Sequence, residues 1–214
     1  KITCDVVWRH TVKIMHRELH FPTAIYIADI KHPTLNKELE KNILAWANKD
    51  KGIIRTNIKG WHSTTNMNEL PEYKNLVSML YECQRTIYQQ EHYESEPYLG
   101  NMWANINPPG TMNRAHMHPN SLWSGVYYIK APKNSGHLKI EDPRSIALMS
   151  RPRQKNQRAP HKLPERLWRE LSYEPIAGRV IMFPSWLVHC VDPNESDDIR
   201  ISVSFNFMQK CLMV

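Results

Sequence analysis

Two histidines one residue apart, His116 and His118, stand in "NRAHMHPNSLWSGVYYIK" (residues 113–130), just ahead of an alternating stretch. On an extended strand, residues i and i+2 project to the same side, so the pair can reach one metal ion together. Histidines are also common on surfaces, and the pair reads equally as two polar residues on an exposed turn. A third histidine, His189, lies in the apolar stretch "VIMFPSWLVHCV". An imidazole there needs a hydrogen-bond partner or a metal; a core histidine satisfied by its neighbours is the plain alternative. Beyond it, "RISVSFNF" (200–207) puts Arg200, Ser202, Ser204 and Asn206 on one face, with Ile201, Val203, Phe205 and Phe207 on the other. Either the polar face meets water, or it lines a cavity inside a barrel. In the second case Arg200 and Ser202 make a clamp for a carboxylate, the guanidinium fork binding bidentately and the hydroxyl adding a bond. The segment "DPNESDD" between His189 and Arg200 reads as a turn returning the chain antiparallel, which sets Arg200 on the strand next to His189.

The elements that would position these side chains change in character near residue 99. "TLNKELEKNILAWANKD" (34–50) spaces Leu35, Leu39, Ile43, Leu44 and Ala47 for a helix, with Gly52 as a stop. "PEYKNLVSMLYECQRTIYQQ" (71–90) places Leu76, Met79, Leu80, Cys83 and Ile87 on one helical stripe behind Pro71, which suits a first turn. Both read as packing helices, and "FPTAIYIAD" before them as a short strand. From Leu99 onward the period is two. The strands expected are "MWANIN", "LWSGVYYIK", "HLKIED", "GRVIMFPS", "WLVHCV" and "RISVSFNF", separated by turn clusters such as "NPPG" and "APKNSG". Short strands at close spacing suggest a barrel or sandwich. The fold expected is therefore α+β: a jelly-roll or cupin-like barrel with helices packed on its outside. One domain is expected over 1–214, comprising an N-terminal extension (1–20), a helical support region (21–98) and a β core (99–214).

The chain's +7 net charge is concentrated. Between Arg144 and Glu170 there are eight Lys or Arg against two acids, Glu165 and Glu170, and the rest of the chain is close to neutral. This basic loop (144–173), with a short helix expected at "PERLWRELS", interrupts the strands and should lie near the barrel's mouth. It could meet an acidic substrate, a nucleic acid or an acidic protein surface, or be solvated and bind nothing. Its aromatics are sparse (Trp168, Tyr173), which speaks against a platform for stacking single-stranded bases. Cys4, Cys83, Cys190 and Cys211 form no C-x-x-C pair, which fits free thiols in a reducing cytoplasm. The first twenty residues carry scattered charges and no apolar centre, so they do not read as a secretory signal. No apolar run approaches the length of a membrane span.

With those residues in view, the chain resembles the Fe(II)- and 2-oxoglutarate-dependent oxygenases, in particular their small bacterial and phage branch. The resemblance rests on "WANINPPGTMNRAHMHPNSLWSGVYYIKAPKNSGHLKIEDPR" (103–144) and "PIAGRVIMFPSWLVHCVDPNESDDIRISVSFNF" (175–207), with weaker agreement at "FPTAIYIADI" and "GWHSTTNM". It implies a double-stranded β-helix with iron at its open end. His116 falls on the first metal ligand and His189 on the distal one. Arg200 falls on the residue pairing with the far carboxylate of 2-oxoglutarate, Ser202 on its hydroxyl partner, and Tyr128 where relatives place a tyrosine over the same carboxylate. Strand alternation should turn Tyr127 outward. Asn105 and Asn206 are candidates for fixing the tautomers of the histidines. The implied reaction couples oxidative decarboxylation of 2-oxoglutarate, with dioxygen, to hydroxylation of a substrate that the sequence does not identify.

The chain departs from the wider superfamily at one position. Those enzymes use H-x-D, two histidines and one carboxylate, whereas here the carboxylate's place is taken by His118. Asp142, in "IEDPR", is a lower-ranked alternative ligand on a different expected strand. Three imidazoles are also a donor set that zinc favours. A zinc-binding cupin-like enzyme, and a non-catalytic barrel binding an acidic partner through its basic loop, are therefore the competing readings. The Arg200-x-Ser202 pair counts against the first, and His116, His118, His189 and Arg200 together count against the second, since a binding module has no need of all four.

Overall fold

A computed structural model describes residues 18–144, 149, 163–164 and 168–209 of the 214-residue chain. The elements run β1 (Tyr26–Asp29), α1 (Pro33–Ala47), β2 (Asn57–Ile58), β3 (Trp61–His62), two short 3-10 turns, α2 (Lys74–Gln90), β4 (Tyr98–Asn107), β5 (Met112–His116), β6 (Trp123–Lys130), β7 (Leu138–Glu141), β8 (Glu170–Tyr173), β9 (Arg179–Pro184), β10 (His189–Val191) and β11 (Arg200–Met208). The strands form two antiparallel sheets, ordered β1-β9-β6-β11-β4-β3 and β2-β5-β10-β7-β8. This is the double-stranded β-helix expected, with α1 and α2 packed on one sheet.

Strand alternation explains both cores. On the six-stranded sheet one face carries Met102, Ala104, Ile106, Tyr127, Ile129, Ile201, Val203, Phe205 and Phe207, and the helices lay Leu35, Leu39, Ile43, Leu76, Leu80 and Ile87 against it. The opposite face turns toward the second sheet, and there Val126, Tyr128, Ile181 and Phe183 meet Leu138, Ile140 and Leu187. Each fully buried Leu, Ile or Phe contributes about 1.5–3 kcal/mol of transfer free energy, so the helical layer holds the sheet from outside. α1 begins where expected: Pro33 occupies its first turn and the His32 ring accepts from the Leu35 amide at 3.1 Å. Tyr127 points outward to Asn36 while Tyr128 points in, as alternation required.

Two expectations are corrected. β10 pairs with β5 and β7, whereas β11 pairs with β4 and β6, so His189 and Arg200 lie on opposite sheets. The connecting segment crosses from one sheet to the other, and His189 and Arg200 line the same cavity from its two sides. The end of the expected "PERLWRELS" helix is instead strand: Glu170–Tyr173 forms β8 on the edge of β7, with Leu171 and Tyr173 against the inner core. The remainder of the basic loop falls largely outside the described residues. Cys83 and Cys190 are free thiols; Cys4 and Cys211 lie outside the described residues. No helix among the described residues is long and apolar enough to cross a membrane.

Candidate metal centre and active site

His116 ends β5 and His189 begins β10, directly opposite each other in an antiparallel pair. His118 lies just beyond β5, where its backbone amide donates to the Ser185 carbonyl at 3.0 Å. The three rings converge: one nitrogen from each lies within 4.8 Å of the others. The Nε2 atoms of His118 and His189 are 3.3 Å apart. Two nitrogens each about 2.1 Å from one ion stand roughly 3.0–3.4 Å apart over octahedral to tetrahedral angles, so this spacing suits shared coordination.

Hydrogen bonds fix two of the rings. His116 donates from Nδ1 to the Arg114 carbonyl (2.7 Å) and His189 from Nδ1 to the Leu187 carbonyl (2.9 Å), which leaves both Nε2 lone pairs for the centre. Burial, with the neighbouring imidazoles adding to it, pushes His118 down to about 4 and His189 down to about 3. Burial also lowers His116, against the opposing effect of its bond to Arg114. All three rings are thus neutral at pH 7, so binding a metal ion there would displace few protons.

The inward face of the six-stranded sheet supplies the rest in cross-strand rows. Arg200 lies opposite Asn107; Ser202 lies between Asn105 and Tyr128; Ser204 lies between Trp103 and Val126; Asn206 lies between Asn101 and Ser124. Arg200, Ser202, Tyr128, Asn105, Asn206 and the three histidines line one cavity of ≈ 280 Å³, near the lower end of small-molecule sites, roughly 300–1,000 Å³. Arg200 is 1% exposed. Its Nη1 donates to the Ser135 and Gly136 carbonyls, but its Nε is buried with no partner. Burial lowers its pKa, the Tyr128 hydroxyl acting in the other direction, and burial in turn raises Tyr128 to about 12. A buried guanidinium with no carboxylate beside it among the described residues is a demand for an anionic ligand.

Asp142 is not brought into this group. Its carboxylate is held by Arg144 through Nε at 2.8 Å and Nη2 at 3.0 Å. Asn105 donates to Ser204 Oγ at 3.1 Å and faces no histidine ring by hydrogen bond, whereas Asn206 Nδ2 lies 3.5 Å from His118 Nδ1. The residues present therefore offer three imidazoles to one metal ion and a buried guanidinium to an anionic group.

The sequence did not point to the opposite wall. His62 on β3, 4% exposed, stacks on Trp103 (5.5 Å between ring centroids, 8° between planes), and Trp103 in turn lies 5.7 Å from His118. Arg55, Thr56 and Thr65 complete that side of the cavity. β3 is two residues long, too short for periodicity to register, and only its pairing with Ile106 and Asn105 turns His62 inward.

Residues 101–206 match the family described as "Putative 2OG-Fe(II) oxygenase". No curated protein matches the chain in sequence. Among solved structures, a prolyl-4-hydroxylase of Pseudomonas putida is similar at a TM-score of 0.61 and 15% identity, over 88% of this chain and 94% of that one. The 2-oxoglutarate complex of a viral collagen prolyl hydroxylase from Paramecium Bursaria Chlorella virus-1 gives 0.53 and 15%, over 86% and 94%. The non-heme alpha ketoglutarate dependent carbocyclase SnoK from nogalamycin biosynthesis gives 0.64 and 13%, over 87% and 80%. At these identities the likeness is one of fold.

Proposed function

We propose that the chain, whose residues 101–206 match the family described as "Putative 2OG-Fe(II) oxygenase", is an Fe(II)- and 2-oxoglutarate-dependent oxygenase that hydroxylates a substrate C–H bond at a centre formed by His116, His118 and His189. It is an oxidoreductase whose cofactors are Fe(II) and 2-oxoglutarate. Bound iron, 2-oxoglutarate and dioxygen supply the oxidising power for such a reaction, with succinate and carbon dioxide as the cosubstrate's products.

The protein's own residues bind, orient and exclude water. Arg200 holds the far carboxylate of 2-oxoglutarate, Ser202 and Tyr128 donate to it from the adjoining strand positions, and Val126, Leu138 and Phe183 wall the site with apolar surface. Arg55, Thr65 and Asn101 border the remaining space, an edge that suits a substrate bearing polar or acidic groups. The chain acts as one domain, a support region over 21–98 under a catalytic core from 99 onward.

The observation that carries this reading is Arg200. A zinc barrel doing hydrolysis has no use for a guanidinium buried across the cavity from its metal with its Nε unpaired. The test is an anaerobic titration of the protein with Fe(II) and then 2-oxoglutarate, following the visible charge-transfer band of the chelate. The band is expected in the wild type and should be much weakened in Arg200→Ala. Tight zinc binding with no band in the wild type would transfer the assignment to a zinc enzyme.

A further inference from the structure

Two of the three histidines have their tautomer set by a backbone carbonyl, and the third does not. His116 and His189 each donate Nδ1–H to main-chain oxygen. His118 instead has Asn206 Nδ2 at 3.5 Å from its Nδ1 and His189 Nε2 at 3.3 Å from its own Nε2. These contacts satisfy one tautomer only. With the proton on Nε2, His118 donates to the lone pair of His189 and accepts from Asn206. An ion shared with His189 occupies the place of that proton, so His118 must then carry its hydrogen on Nδ1, facing an amide that presents a donor.

The surroundings of Asn206 can turn over. Its Oδ1 is 2.7 Å from Ser124 Oγ, its Nδ2 is 2.8 Å from Asn101 Oδ1, and Ser124 Oγ is 2.9 Å from Ser185 Oγ. Every member is an amide or a hydroxyl, and each can donate or accept. Rotating both amides by half a turn leaves each bond of the chain satisfied: His118 Nδ1–H and Asn101 Nδ2 donate to Asn206 Oδ1, Asn206 Nδ2 donates to Ser124, and Ser124 donates to Ser185. The same Ser185 fixes His118 through its carbonyl, so backbone and ring are tied to one network. Asn206, Ser124 and Ser185 are almost fully buried, where an unsatisfied sense would cost too much to persist.

We propose that Asn206, backed by Asn101, Ser124 and Ser185, is the positioning residue that switches His118 to its Nδ1–H tautomer on metal loading, and so sets the affinity of a centre lacking a carboxylate ligand. The proposal rests on the three histidines being the metal site, but on neither 2-oxoglutarate nor turnover.

The test is zinc binding by competition with a chromophoric chelator, together with long-range proton–nitrogen NMR of histidine side chains in the zinc-loaded full chain. The expected spectrum has His118 protonated at Nδ1 and metal-bound at Nε2. Asn206→Leu should weaken zinc by about ten- to a hundred-fold, the usual effect of removing a partner that orients a ligand. Asn206→Asp, isosteric and acceptor-only, should bind zinc more tightly than wild type and guards against a folding artefact. An unprotonated His118 Nδ1, an Asn206→Leu affinity close to wild type, or weaker binding by Asn206→Asp each overturns the proposal. Failure of the 2-oxoglutarate band with these results intact would sink the oxygenase assignment alone. Failure of zinc to bind at all would sink both.

Discussion

Replacing Arg200 should separate cosubstrate binding from metal binding. Its guanidinium is 1% exposed, with Nη1 engaged by the Ser135 and Gly136 carbonyls and Nε unpaired. A carboxylate arriving there gains charge-assisted hydrogen bonds worth about 1.5–3 kcal/mol each, and removing one partner of a buried pair costs about 3–5 kcal/mol. At 1.4 kcal/mol per decade, Arg200→Gln should raise the 2-oxoglutarate Kd by roughly two to three and a half decades. Arg200→Lys should recover part of that loss, since an ammonium keeps the charge without the fork. Zinc affinity should stay near wild type, because the centre's donors are on β5, β10 and the turn after β5. The assay is calorimetric titration of the metal-loaded protein with 2-oxoglutarate. A Kd for Arg200→Gln within about threefold of wild type would refute the assignment of Arg200, because no surviving contact in the cavity could replace an ion pair of that size.

Ser202→Ala and Tyr128→Phe should each weaken 2-oxoglutarate by about 0.5–1.5 kcal/mol, roughly two- to tenfold, read in the same titration. Gly136→Ala should destabilise the fold by about 2–4 kcal/mol by chemical denaturation, given strain at φ +93 and a methyl 2.2 Å from the Asp192 carbonyl oxygen and 2.8 Å from Arg200 Nη1; an unchanged midpoint would mean the loop simply moves. Burial holds His118 at about 4 and His189 at about 3, below their ordinary 6.5. The metal-free folded protein therefore binds fewer protons than the unfolded chain between those values and 6.5. Its stability, full above pH 6.5, should be lost as pH falls through that window, and a Tm that does not drop between pH 7 and 4.5 would contradict the burial of these rings. His189→Ala should abolish tight zinc binding while leaving the circular dichroism of the fold intact, and retention of zinc would remove His189 from the ligand set.

How much of this was legible in the chain follows from the range over which each signal acts. Periodicity is local, and it located both helices, most of the long strands and the polar face of residues 200–206. It also told Tyr127 from Tyr128, because one residue along a strand is one face of the sheet. Residue type placed the three histidines and Arg200, since an imidazole in "SWLVHCV" and an arginine in "RISVSFNF" each carry a solvation demand that apolar neighbours cannot meet. Pairing partners are not local. Nothing in "DPNESDD" distinguishes a hairpin from a crossing between sheets, and only the pairing of β10 with β5 and β7, and of β11 with β4 and β6, put His189 and Arg200 on facing walls of one cavity. The partner of Asp142 was equally invisible: its carboxylate meets Arg144, apart from the histidine group. His62 entered through a two-residue strand with no pattern of its own, and Asn206 acquired a partner at His118 because cross-strand neighbours Asn101 and Ser124 hold its amide. The sequence by itself determined which groups needed partners and which face each occupied; the tertiary structure alone decided which groups met, because strand order depends on burial summed over the whole barrel rather than on any one segment.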